Sequence, residues 1–188
     1  MKKIILLLGG ARSGKSHFAQ HYAQENAEKI LFVATATAGD EDMLRRIEKH
    51  RKDRPDNWNT LEVTNHIGKE IEAAIDDEDL VIVDCITLLI SNLFCQYNEE
   101  QFETLEDNLL EHKVISEIAE LINSLKKSKA SFIIVSNEVG LGIVPENRMG
   151  RLYRDFLGRA NQMLAQNSDE VYLMVAGIPL RVKDSKSP

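Results

Sequence analysis

The chain has 188 residues, 43% of them hydrophobic, which is enough to bury a core without disulfide or metal staples and predicts a single domain spanning residues 1–188. Its formal charge of −7 and pI near 5.3 supply no basic field, so nucleic acid is excluded as the main partner and any polyanion must meet a local basic cluster. No apolar run approaches the roughly 20 residues that cross a bilayer, and the expectation is a cytoplasmic protein with no membrane span.

A continuous apolar run, residues 3–8, is stopped by Gly-Gly, the pattern of a strand buried on both faces of a parallel sheet rather than of a signal peptide. Gly9, Gly10, Ala11, Arg12, Ser13, Gly14, Lys15 and Ser16 follow as GGARSGKS and match the phosphate-binding pattern GxxxxGK[ST]. Gly9 and Gly14 allow backbone angles that turn successive N–H groups inward around phosphate oxygens. Lys15 adds a mobile positive charge and Ser16 a hydroxyl for Mg²⁺, and the helix opening there aims its positive end at the same phosphates. The loop predicts binding of ATP or GTP and leaves the chemistry open.

Phe18, Ala19 and Tyr22 recur at helical spacing and predict a helix over residues 15–26. Residues 30–34 read as a second strand that runs into the small-residue loop Thr35, Ala36, Thr37, Ala38 and Gly39, at the sheet edge where ligands of open α/β sheets bind. A charged helix is predicted over 42–51, barred from continuing by Pro55, and is followed by Trp58, read as a packing residue, and an extended piece at 60–63. Residues 67–75 read as a helix, and the apolar run at 80–83 ends in Asp84, a Walker B candidate whose plainer role is to cap the next helix.

An apolar helix over 86–94 precedes an acid-rich piece, 98–106, read as an exposed excursion, and then a long amphipathic helix over 109–126. A buried strand at 132–135 ends in Ser136, Asn137 and Glu138, a helix covers 148–166, and strands cover 170–175 and about 180–182. Cys85 and Cys95 lack metal-ligand company and read as small buried thiols. The alternation predicts an α/β fold of the P-loop NTPase type, RecA-like, with a mostly parallel central sheet flanked by helices.

A second constellation stands out in residues 45–55, RRIEKHRKDRP, a basic cluster in an acidic chain. Arg46 and His50 share one helical face, and Arg51 and Arg54 follow, so the segment can bind phosphates. Neighbouring positive charge keeps His50 neutral and nucleophilic, although a helix carboxyl end pulls the other way. The plainer reading of this segment alone is a solvated basic helix face with an idle histidine.

GGARSGKS, ATATAGDEDM, RIEKHRKDRPDNW with TLEV, VDCITLLISNL, and SNEVGLGIVPENR with RDFLGRANQ stand in an order that resembles the bifunctional adenosylcobinamide kinase and adenosylcobinamide-phosphate guanylyltransferase of cobalamin biosynthesis. The resemblance runs from Ile4 to about Val182 and departs mainly in the acidic piece at 98–106. It implies phosphorylation of the corrinoid adenosylcobinamide, then transfer of GMP from GTP through a guanylylated His50, with Lys15 as the second catalytic residue. It implies nucleotide contacts at Ala34, Thr35, Ala36, Arg51, Lys52, Asp53, Arg54, Glu62 and Asp84, beside the loop, with Ser16 and Asp84 on Mg²⁺. Glu62 is matched to guanine N1–H and N2–H₂. Asn137, Glu138, Asn147 and Arg148 are read as meeting the corrinoid or another subunit, and Arg151, Arg154, Arg159 and Asn161 as packing or interface residues. A homo-oligomer is implied, with a trimer as the family's form. Two other readings stay open, a single-activity P-loop small-molecule kinase and a non-enzymatic NTP-binding regulatory module.

Overall fold

The computed structural model describes residues 2–37, 41–52 and 54–184, and of Asp42, Met43, Arg46, Lys49, His50, Glu99 and Glu103 the backbone alone. Asp53, Ala38 and Gly39 thus lie outside the described residues, as does the His50 side chain.

In chain order the elements are β1 (Ile4–Gly9), α1 (Lys15–Asn26), β2 (Ile30–Ala34), α2 (Glu41–Lys52), β3 (Asn59–Glu62), α3 (Ile67–Ala74) and β4 (Leu80–Asp84). There follow α4 (Ile86–Phe94), α5 (Glu99–Thr104), α6 (Asp107–Lys127), β5 (Ser131–Val135), α7 (Arg148–Gln166), β6 (Glu170–Val175) and β7 (Ile178–Lys183). One sheet runs β3-β2-β4-β5-β1-β6-β7, parallel throughout except for β7, which pairs antiparallel with β6. The apolar runs of β1, β2, β4 and β5 fit this position, since each is covered on both faces.

Alternation along each strand sorts the core into two halves. Ile4, Leu6, Leu31, Val33, Val81, Val83, Phe132 and Ile134 face α3, α4, α6 and α7. Ile5, Leu7, Phe32, Ile82, Ile133 and Val135 face α1 and Trp58. Trp58 is buried and stacks on Phe32 with ring centroids 6.4 Å apart, so it packs the core as expected.

Two expectations change. Residues 98–106 are not simply an exposed excursion, because Asn98 and Gln101 form a reciprocal capping box that opens α5, and its Phe102 is only 2% exposed, packed on Phe94 at 5.7 Å. A single aromatic in an acid-rich hexamer leaves no periodic stripe to read. Cys95 is exposed rather than buried. Cys85 behaves as an inert thiol, since desolvation, with Asp84 adding to it, pushes it up to about 12. Among the described residues no helix is long and apolar enough to cross a membrane.

Helices α3 and α6 come into close contact at Gly68, where an added Cβ would stand 2.6 Å from the carbonyl carbon and oxygen of Glu120. Glu117 of α6 fixes the same junction by accepting the His66 and Ile67 N–H groups at 3.1 and 2.8 Å, capping a helix whose own N-cap side chain does not. Gly68→Ala therefore forces backbone from backbone. We expect it to lower the free energy of unfolding by about 2 kcal/mol, measured as a fall in the urea midpoint at unchanged slope.

Candidate active site

The carboxyl edge of the sheet gathers the chemistry. Register pairs Leu7 with Val135, Val135 with Asp84, Asp84 with Ala34 and Ala34 with Glu62, so these residues form one row across five strands. Partners in a parallel row point to one face, and Leu7, Val135 and Ala34 pack on the α1 side. Asp84 therefore stands on the face of α1, two strands or about 10 Å from the strand that carries the glycine loop.

Residues 9–16 leave β1 and turn into α1 with Gly9 at φ 150°, Arg12 at φ 59° and Gly14, the N-cap, at φ 95°. A Cβ at Gly9 would meet Met174 O at 2.6 Å, and one at Gly14 would meet Gly177 Cα at 3.0 Å, so neither a side chain nor its backbone conformation is tolerated there. The β6–β7 hairpin braces the loop. Its two-residue turn, Ala176 and Gly177 at φ 52° and 85°, has the left-handed pair that matches strand twist, and Gly177 N–H donates to Ser13 O at 2.9 Å.

Lys15 is 7% exposed and folds over its own loop, its Nζ donating to Gly9 O at 2.9 Å, Gly10 O at 2.7 Å and Ser13 Oγ at 3.4 Å. Burial lowers its pKa, while Cys85 and Asp84 pull it back up. Helix α1 has no acidic residue in its first turn, so its N-terminal N–H groups and dipole face no competing carboxylate.

The end of α2 returns to this edge. Arg51 donates from Nε at 3.0 Å, and from Nη2, to Glu62 Oε1. Arg54 lies with Cζ 3.8 Å above the Phe32 ring; burial lowers its pKa while Asp84 and Glu62 raise it, and its Nε is buried with no partner among the described residues. The structure thus draws the guanidinium groups of residues 51 and 54 toward two carboxylates that the sequence places far apart. Lys52 is exposed.

Ala34 and Ala36 are half-buried, but Thr35 is 0% exposed, and its hydroxyl is bonded to the backbone of Cys85. Ser136, Asn137 and Glu138 end β5 between the loop and Asp84, with Glu138 N–H donating to Gly9 O at 3.0 Å. Ser136 Oγ donates to Asn161 Oδ1 at 2.7 Å and Asn161 Nδ2 to Asn137 O at 3.0 Å, so Asn161 is a buried support for this corner rather than an interface residue.

Arg148 spends its guanidinium on Phe102 O, Leu105 O and Asp107, and Asn147 caps α7. Arg151 donates to Pro145 O and Glu146 O, Arg154 lies beside Asp155, and Arg159 pairs with Glu111. An open concavity of about 1330 Å³, lined by Lys2, Glu72, Asp79 and Lys127 among others, lies at the opposite end of the strands and holds none of these groups.

A glycine loop joining the first strand to a helix, a buried lysine in it and an acid on the strand two places away define a P-loop nucleotide-binding protein. Solved structures agree at the level of fold. A Pyrococcus horikoshii OT3 protein superposes with a TM-score of 0.56 at 8% identity over 98% of this chain and 88% of that one. A type III secretion system ATPase gives 0.54 at 11% over 91% and 50%, and the RadB recombinase 0.50 at 14% over 91% and 73%. The family model for cobinamide kinase / cobinamide phosphate guanyltransferase matches residues 5–182, and the chain belongs to that family.

Its relatives include the bifunctional adenosylcobalamin biosynthesis proteins CobU of Escherichia coli K12, 38% identical, and CobU of Salmonella typhimurium LT2, 40% identical, each over 96% of this chain and 99% of the relative. CobP of Pseudomonas aeruginosa PAO1 is 36% identical over 95% and 96%.

Because Lys15, among the described residues, bonds only to its own loop, Lys15→Ala should leave the fold intact and remove one charge-assisted contact to phosphate. We expect affinity for GTP to fall by about 10- to 100-fold, read by calorimetric titration, with thermal unfolding unchanged.

Proposed function

We propose that the chain carries out both reactions of its family at the carboxyl edge of its sheet, phosphorylating adenosylcobinamide with ATP or GTP and then transferring GMP from GTP to the product. The observation that carries this reading is the Arg51–Glu62 pair, which ties the end of α2, one residue beyond His50, to the same edge as the glycine loop.

In the first step the corrinoid's hydroxyl oxygen attacks the γ-phosphorus, the β–γ bridging bond breaks and the nucleoside diphosphate leaves with the hydroxyl proton passed to solvent or base. Residues 9–16 hold the triphosphate through backbone N–H groups, and Lys15 neutralises charge on its outer oxygens. In the second step a His50 ring nitrogen attacks the α-phosphorus of GTP and pyrophosphate departs; a phosphate oxygen of the phosphorylated corrinoid then attacks that phosphorus and frees the imidazole. Splitting the transfer in two avoids bringing two bulky polyanions together at once. Arg51 and Arg54, with Lys52 and Asp53 between them, offset charge on the transferred group, and Glu62 accepts from the guanine edge beside the small residues Ala34 and Ala36.

Mg²⁺ fits the donors present: Ser16 and Asp84 are hard oxygen ligands, and among the described residues no cluster of three His, Cys, Asp or Glu side chains cages a metal. Such a pair suits an ion that keeps its waters and shares the substrate's phosphates. When bound, the ion would supply charge neutralisation on the triphosphate.

A cytoplasmic homo-oligomer, a trimer by the family's form, completes the proposal. Exposed aliphatic groups support it, with Leu141 and Ile143 at 86% and 95% exposure on the β5–α7 connection and Ile178, Leu180 and Val182 along β7. Sedimentation velocity is expected to show one species of three chains, and a monomer at micromolar concentration would overturn this part.

Incubation with GTP labelled at the α-phosphate should leave acid-labile, base-stable label on the protein, and none on His50→Ala. Label persisting in that variant would assign the nucleophile elsewhere. Phosphorylation of the corrinoid with no protein-bound label would indicate the single-activity kinase, and nucleotide binding with no turnover the regulatory module.

A further inference from the structure

Ladder pairing between β2 and β4 ends at Ala34 and Asp84. Beyond such an end, strands ordinarily diverge and the last residue loses its restraint. Thr35 prevents this. Its backbone N–H donates to Asp84 O at 3.2 Å, its Oγ1 accepts from Cys85 N–H at 2.8 Å, and the same hydroxyl donates to Cys85 O at 2.7 Å. One buried residue therefore holds the chain immediately after Asp84 through three hydrogen bonds, with its side chain standing in for the backbone groups of a further rung.

The other end of this connection is also held. Asn92 of α4 donates from Nδ2 to Thr35 O at 2.9 Å and to Thr64 O at 3.4 Å, while its Oδ1 accepts from Thr37 Oγ1 at 3.0 Å. The segments that follow β2 and β3 are thus joined through one amide on α4, the helix that follows β4. All of the polar atoms of Thr35 are used in these bonds, and its side chain is fully buried, so it has no hydroxyl to offer a ligand.

We propose that Thr35 is a positioning residue for Asp84, fixing the backbone from which that carboxylate reaches the nucleotide-bound cation, and that it does not itself touch nucleotide through its side chain. The inference rests on the reading of Asp84 as a cation-holding residue under the proposed function. Groups that orient a ligating side chain typically change metal affinity by about 10- to 100-fold when removed.

Thr35→Val keeps the shape and loses the hydroxyl, Thr35→Ser keeps the hydroxyl, and Asn92→Ala removes the support of Thr35 O. GTP affinity is measured by calorimetry for each, in Mg²⁺ and in EDTA, without corrinoid. The expected result is about a tenfold loss for Thr35→Val in Mg²⁺ only, near-complete restoration in Thr35→Ser, and a smaller loss of the same kind in Asn92→Ala. Equal losses in Mg²⁺ and EDTA, or failure of serine to restore, overturn the positioning role. If Thr35→Val does not fold, Asn92→Ala decides: a Mg²⁺-confined loss supports the inference and no loss overturns it. A wild-type protein that binds GTP equally in Mg²⁺ and EDTA overturns the premise about Asp84, a result distinct from any failure of corrinoid phosphorylation or guanylylation.

Discussion

The whole site depends on the register of the parallel ladder. Because Leu7, Val135, Asp84, Ala34 and Glu62 fall in one row, groups from five separate parts of the chain emerge at one height and on one face. A slip of a single residue in any strand would send its terminal side chain to the other face, into the layer of α3, α4, α6 and α7. The buried runs of β1, β2, β4 and β5 prevent slippage, since each position is already committed to one half of the core. Core packing and placement of the chemistry are thus one constraint.

A second consequence concerns charge. The chain is acidic overall, yet Lys15, Arg51 and Arg54 cluster at this edge. Two of them are partly desolvated, Lys15 by its own loop and Arg54 by the face of Phe32, and desolvation makes a charge act more strongly on an incoming phosphate. Asp84 and Glu62 keep both guanidinium groups and the ammonium near the site without a ligand. On the proposed reading, triphosphate would take over from Asp84 as the partner of Lys15 and Arg54, while Arg51 keeps Glu62.

Much of this architecture is legible in the sequence because its signals are local. Helix α1, strand β2, helix α4, helix α7 and strand β6 fall where the residue pattern puts them, each announced by a continuous apolar run or a 3.6-residue stripe. The GGARSGKS loop is legible for the same reason. What escapes is long-range. Nothing near Arg54 announces that its guanidinium lies on Phe32, 22 positions earlier, and nothing near Glu117 announces that it caps α3. Phe102 enters the core from a segment whose composition reads as solvated, and Arg148, which reads as a ligand-facing cation, is consumed by the carbonyls that end α5. Thr35 shows the limit most clearly, because small residues in a strand-end loop signal close ligand approach equally whether the hydroxyl faces the ligand or the backbone of the next strand.

The Arg51–Glu62 pair bears on whether one carboxylate can serve both α2 and guanine. Both Arg51 bonds fall on Oε1. A carboxylate offers about four lone-pair sites over its two oxygens, so Oε2 remains able to accept from N1–H or N2–H₂ of a purine without breaking the ion pair. Adenine presents an acceptor at N1 where guanine presents a donor, and an acceptor facing Oε2 is repelled rather than bound. Under the proposed function the same carboxylate would hold the end of α2 and select the base, coupling the position of the residue beside His50 to the identity of the nucleotide.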